Sequence, residues 1–154
     1  LEPLRFLALR NTGAYTELSG GFGRLYQIIA DWAGPETICG IHGLWFDDPA
    51  TSSPVTFRFD CGFAVTREGE APAGVRWVEA PAGACLSVRH VGSYEALLTT
   101  IDLLYAKALA EGIELRDAPL FTHYLDDPEE VAEQQLRTEV YLPIEGTPVC
   151  VTTM

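Results

Sequence analysis

Two short strings place charged side chains where they could grip a ligand: Arg58-x-Asp60 and Arg137-x-Glu139. Residues two apart on a strand point to the same side of a sheet, so each string sets a guanidinium beside a carboxylate. The second string continues to Tyr141. A carboxylate in an apolar setting is costly unless it is paired. Glu139 therefore calls for a cation, supplied by a ligand or by Arg58 or Arg137. Aromatic neighbours would add cation–π attraction of roughly 0.5–2 kcal/mol. Trp45, Phe46, Phe121, Tyr124 and Tyr141 are the candidate walls, although side chains of this type also build cores. Asp60 is the counterpart of Glu139 in an earlier copy of the same pattern.

Other chemistries find little support. The three histidines, His42, His90 and His123, form no metal-ligand spacing, and the four cysteines are scattered without a C-x-x-C. Cys61 and Cys85 sit in apolar stretches and read as reduced core thiols. No metal and no cofactor are expected. The two Asp-Asp-Pro runs, at 47–49 and 126–128, read as strand-terminating turns with solvated carboxylates.

The pattern that relates the two strings runs through most of the chain, at a constant offset of 79 residues (58 to 137, 60 to 139). Leu9-Arg10-Asn11-Thr12-Gly13-Ala14-Tyr15 aligns with Val88-Arg89-His90-Val91-Gly92-Ser93-Tyr94, and Leu25-Tyr26 aligns with Leu104-Tyr105. Such self-similarity fixes architecture before any local reading does. Each copy reads strand, helix, strand, strand. In the first, a strand at 5–9 precedes a helix from about Ala14 to Ala33, with Leu18, Phe22, Leu25, Ile29 and Trp32 on one face. Gly20, Gly21 and Gly23 weaken that helix. In the second, Ser93 caps a helix whose stripe is Leu97, Ile101, Leu104 and Ala108, and Gly112 ends it. Tyr15 and Tyr94, at the helix starts, read as packing residues.

Strands follow at 41–46 and 120–125. The last strand of each copy alternates cleanly: Phe57, Phe59, Cys61, Phe63 and Val65 on one side, and Leu136, Thr138, Val140, Leu142 and Ile144 in the other copy. The opposite sides carry the Arg–carboxylate strings and face away from the helices. Residues 66–74 read as an exposed linker, and 75–79 as a strand leading into the second copy. The expected fold is α+β: one domain of residues 1–154, with module one at about 4–66 and module two at about 75–145. Together the modules would form an antiparallel sheet with helices on one face and a central groove that takes a hydrophobic or aromatic small molecule.

A hydrophobic content of 47% supports a folded protein, and a formal net charge of −12 disfavours direct contact with nucleic-acid phosphates. No apolar run approaches the ~18 residues of a membrane helix, and no signal pattern is visible, so a cytoplasmic location without membrane attachment is expected. The chain starts at Leu1 rather than Met, which fits either a processed or trimmed chain or a module cut from a longer polypeptide.

The ordered set of motifs resembles the GyrI-like domain, also called the bacterial transcription-activator effector-binding domain. It is carried by Val88 to Tyr94 after Pro81-Ala82-Gly83, by Asp126-Asp127-Pro128, and by Leu136 to Ile144. Leu9 to Tyr15 and Phe57-Arg58-Phe59-Asp60 are similar to the version fused behind AraC-type DNA-binding domains. The family's usual proline in its Gly-Pro-Tyr motif is replaced by Ala14 and Ser93. The resemblance implies two modules about a pseudo-two-fold axis and a groove that binds aromatic or cationic compounds. It also implies an acidic contact at Glu139. Three functions follow from it. The leading reading is an effector-sensing domain, the C-terminal part of an AraC-family regulator, with DNA reached only through a separate N-terminal domain. The others are a free-standing protein-binding factor of the gyrase-modulating kind, and a hydrolase of electrophilic natural products using Glu139.

Overall fold

The computed structural model describes residues 4–13, 18–47, 53, 57–80, 83–146 and 149–150. Ala14, Tyr15, Asp48, Pro49, Pro81 and Ala82, which the motifs above include, lie outside the described residues. The chain divides into two compact units, one of residues 3–80 and one built on 81–154.

In module one, β1 (Arg5–Thr12) leads to α1 (Leu18–Ala33), then β2 (Ile38–Trp45), β3 (Arg58–Val65) and β4 (Arg76–Glu79). The strands lie in the order β4-β1-β3-β2, every neighbouring pair antiparallel. The alternation of β3 decides the layering. Phe59 and Phe63 meet the edge of Phe22 from α1, each at 6.0 Å between ring centroids. Leu25 and Ile29 of the same helix stripe are fully buried, and each such side chain contributes about 1.5–3 kcal/mol. A bulge between Ile38 and Gly40 leaves Cys39 exposed.

The strand at 76–79 differs from expectation. It does not open module two; it pairs with β1, with Phe6 opposite Val78 and Ala8 opposite Arg76. The edge of β1 offers a free row of backbone donors and acceptors, and the turn through Gly74 (φ +83°) returns the chain to it.

In module two, β5 (Cys85–Val91), α2 (Tyr94–Ala110), β6 (Leu120–Tyr124), β7 (Arg137–Pro143) and the short β8 (Val149–Cys150) follow. Their order is β6-β7-β5-β8, antiparallel except that β8 runs parallel to β5. Ser93 caps α2 by accepting from the Ala96 N–H at 3.0 Å, and Leu97, Ile101, Leu104 and Ala108 are its buried residues. Each module is thus a mainly antiparallel sheet with one long helix packed on it, an α+β arrangement.

The same bonds recur in the two modules at the same offset. The Gly13 N–H donates to the Phe57 carbonyl at 2.9 Å, and the Gly92 N–H to that of Leu136 at 2.8 Å. Both glycines have φ near +135° (139° and 135°), a turn that other residues adopt only under strain. Gly21 also has a specific role: a methyl group there would collide with the Asn11 side chain, which donates to the Leu9 carbonyl and accepts from Arg24. At the matching positions His90 meets the Thr100 hydroxyl at 2.7 Å and the Ser93 carbonyl at 3.0 Å. A carbonyl only accepts, so Nε2 carries the proton and Nδ1 accepts from Thr100.

Candidate ligand-binding face

Cross-strand register assigns each candidate side chain to a face, because directly opposed residues of an antiparallel pair project to the same side. In module two, Arg89 of β5, Glu139 of β7 and His123 of β6 form one row. The adjacent row is Ser87, Tyr141 and Phe121. Both rows lie on the side away from α2, whose side carries Val88, Val140 and Thr122, with His90 bonded to α2 at Thr100. Phe121 and Tyr141 stack at 5.8 Å with 29° between planes. Glu139 therefore stands between a cation and an imidazole, with an aromatic pair on the next row.

The partner of Glu139 is Arg89, a residue absent from the expected site. Its Nε and Nη2 both reach Oε1, the former at 2.6 Å. Arg137, expected to balance Glu139, instead clamps Asp126: its backbone N–H and Nε meet Oδ2 at 2.9 and 3.0 Å, and Nη2 meets Oδ1 at 2.9 Å. Arg58 does the same to Asp47, at 2.8, 3.1 and 2.9 Å. The first aspartate of each Asp-Asp-Pro run is thus an arginine clamp rather than a solvated turn residue. In both, the arginine's hydrogen bond holds the carboxyl below its usual range. His123 is pushed the other way from Glu139's influence: burial lowers its pKa, and the nearby carboxylate only partly offsets this.

In module one the matching row is Arg10, Asp60 and Leu44. Asp60 is completely buried, and both of its oxygens are engaged, Oδ1 by Arg10 and Oδ2 by Arg76. Arg10 lies 4.3 Å over the Phe46 ring, and Arg58 is 5.9 Å from it. The next row holds Gly62 where module two has Tyr141. The ring of Phe6 fills that space, so that a Cβ on Gly62 would collide with it, and Phe6 rests on His42 at 5.3 Å.

Two expected wall residues lie on the other side. Trp45 packs edge-on against Phe57 and Phe59, at 6.0 and 5.1 Å, in the helix-side layer. Tyr124 packs against Tyr94 of α2 at 5.3 Å. The runs around them, Ile41 to Phe46 and Leu120 to Leu125, carry large apolar side chains on both sides, with His42, Thr122 and His123 among them, so alternation could not orient them. Tyr94 is a packing residue as expected, and burial pushes its hydroxyl up to about 12. Glu139, Tyr141 and Phe121 do come together. Asp60, Arg58 and Phe46 form a separate cluster in module one. Arg10, Arg76, Arg89 and His123 were missed, although the aligned motifs place arginine at both 10 and 89. No metal-binding group of three or more ligands occurs among the described residues, and no helix there is long and apolar enough to cross a membrane.

Residues 1–145 match the family described as the GyrI-like small molecule binding domain. The chain belongs to this family. As a GyrI-like protein it is 38% identical over 104 residues to the "Probable transcriptional regulator YgiV" of Escherichia coli (strain K12). That stretch covers 66% of this chain and 65% of YgiV. Among solved structures, the EcmrR C-terminal domain superposes with a TM-score of 0.79 at 17% identity, covering 96% of this chain and 94% of that one. SAV2435 bound to tetraphenylphosphonium superposes with a TM-score of 0.63 at 18% identity, covering 95% and 91%. At those identities the likeness is one of fold: the GyrI-like α+β arrangement.

Proposed function

We propose that this chain senses a positively charged aromatic compound on behalf of a transcription regulator, and that Glu139 is its anionic anchor. The observation that carries the reading is the unequal treatment of two matching carboxylates. Asp60 is sealed and spends both oxygens on arginines. Glu139 keeps 19% of its side chain exposed, and the bonds from Arg89 fall on its Oε1. Oε2 is left for a ligand cation, and the Phe121–Tyr141 pair one row away offers a stacking surface. Tetraphenylphosphonium in SAV2435 is an aromatic cation of this class. The name of YgiV supports a regulatory setting. With a net charge of −12, this domain would leave DNA contact to another segment or partner, an AraC-type DNA-binding domain being the arrangement its first-module motifs resemble.

The test is thermal unfolding with tetraphenylphosphonium and with a neutral aromatic of similar size, on wild type and Glu139→Gln. A ligand at 100 times its dissociation constant stabilises by about 2.7 kcal/mol. The cation should stabilise the wild type and lose most of that effect in the variant, while the neutral compound treats both alike. Equal stabilisation of both proteins by the cation would remove Glu139 from the site.

A further inference from the structure

The helix-free face of module one carries a surplus of positive charge, and its chemistry is unused by the cation site. Among the described residues it carries three guanidiniums, Arg10, Arg58 and Arg76, against two carboxylates, Asp47 and Asp60. One positive charge is left over, in a chain whose formal net charge is −12. The surplus arises from β4, which adds Arg76 to the pair that Arg10 and Asp60 already make. Module two has no such addition: beside β5, the register place that Arg76 holds beside β1 falls to Cys150.

We propose that this face binds small aromatic carboxylates, held by Arg10 and Arg76 and lined by Phe46. Each guanidinium has five N–H donors in a fixed fork, and the bonds to Asp60 occupy only one edge. The side chains of Arg10 and Arg76 remain 40% and 46% exposed, so donors are accessible. Asp60 is fully buried and cannot swing away, and Phe46 carries Arg10 on its face. Much of the ordering cost of a flexible arginine is therefore met before a ligand arrives. Guanidinium forks match carboxylates in bidentate geometry, and flat rings stack on both phenyl and guanidinium planes. The chain's overall negative field does not forbid this, because charges more than about 8 Å away are largely screened at physiological salt. A cation, by contrast, finds no unspent carboxylate oxygen on Asp60.

The experiment is a titration of the arginine Nε–H resonances with benzoate, acetate and the neutral benzamide. Benzoate should shift the Arg10 and Arg76 signals saturably, acetate should bind more weakly, and benzamide should shift neither. Arg76→Gln should weaken benzoate about tenfold, the loss expected for one charge-assisted hydrogen bond. Arg67→Gln, which removes the same charge from an arginine bonded to the Trp32 carbonyl, should bind benzoate as the wild type does. If Arg76→Gln fails to fold, Arg76→Lys replaces it, keeping the charge but losing the fork, and should still weaken benzoate several-fold. Absence of saturable shifts, equal response to benzamide, equal affinity for acetate, or equal loss in Arg67→Gln would each overturn the assignment.

Discussion

Asp60→Asn and Glu139→Gln make the same chemical change at matching positions and should have very different consequences. At position 60 the carboxylate is 0% exposed and bonded to two guanidiniums. Hydrogen bonds to a charged partner contribute about 1.5–3 kcal/mol each, and removing one partner of a buried pair costs more than the pair itself is worth. The arginines are 40% and 46% exposed and can recover water, which discounts the sum. A loss of about 2–4 kcal/mol remains. For a chain of 154 residues each kilocalorie lowers Tm by about 2–4 °C, so Tm should fall by roughly 4–16 °C. At position 139 the partner Arg89 is 49% exposed and the carboxylate 19%. A half-solvated pair of this kind is worth about 0–1 kcal/mol, so Tm should move by at most a few degrees. Urea unfolding followed by tryptophan fluorescence would measure both at matched m-values. Equal costs, or the larger cost at Glu139, would refute the idea that one carboxylate holds its module together while the other is available for binding.

Acid should release the aspartate clamps. Asp47 and Asp126 titrate below their ordinary 3.8 when folded, so their stabilisation is present above that value and is lost as pH falls through the folded pKa; a double Asp47→Asn, Asp126→Asn variant should show a flatter acid limb in a pH series of unfolding midpoints. Alkylation of the native protein, read by peptide mass, should mark exposed Cys39 and spare Cys61. Burial, with Asp60 nearby, pushes the Cys61 thiol up to about 12 from 9.0. Between those values the unfolded thiol ionises and the folded one does not, so Cys61 should lower stability as pH rises through that window, and Cys61→Ala should remove the effect. Gly62→Ala should cost about 1–3 kcal/mol through collision with Phe6, whereas Gly23→Ala, where an added Cβ meets nothing within 4 Å, should stabilise α1 by a few tenths to about 1 kcal/mol; a reversed order in chemical denaturation would contradict the packing described.

Legibility followed the range of the interactions. The stripe of α2 and the alternation of β3 and β7 are local periodicities, and the buried residues fall on them. The carboxylates at 60 and 139 were visible because their strands alternate strictly. Their partners were not, since Arg10 meets Asp60 and Arg89 meets Glu139 across 50 residues of chain. Nothing in local spacing separates Arg89 from Arg137 as the partner of Glu139. The repeat held the missing signal, in an arginine aligned at 10 and 89. The directions of Trp45 and Tyr124 were illegible because apolar residues flank them on both faces.

By itself, the sequence determined the α+β class and the face on which Glu139 and Tyr141 stand, because hydrophobic periods of 2 and about 3.6 residues specify which side is buried. Only the tertiary structure decided which charge answers which. Cross-strand register set Arg89 against Glu139 and freed Arg137 for Asp126, and the pairing of β4 with β1 delivered a second arginine to Asp60. That single added strand closes one carboxylate and leaves its counterpart open, because hydrogen-bond register brings together residues that the chain keeps far apart.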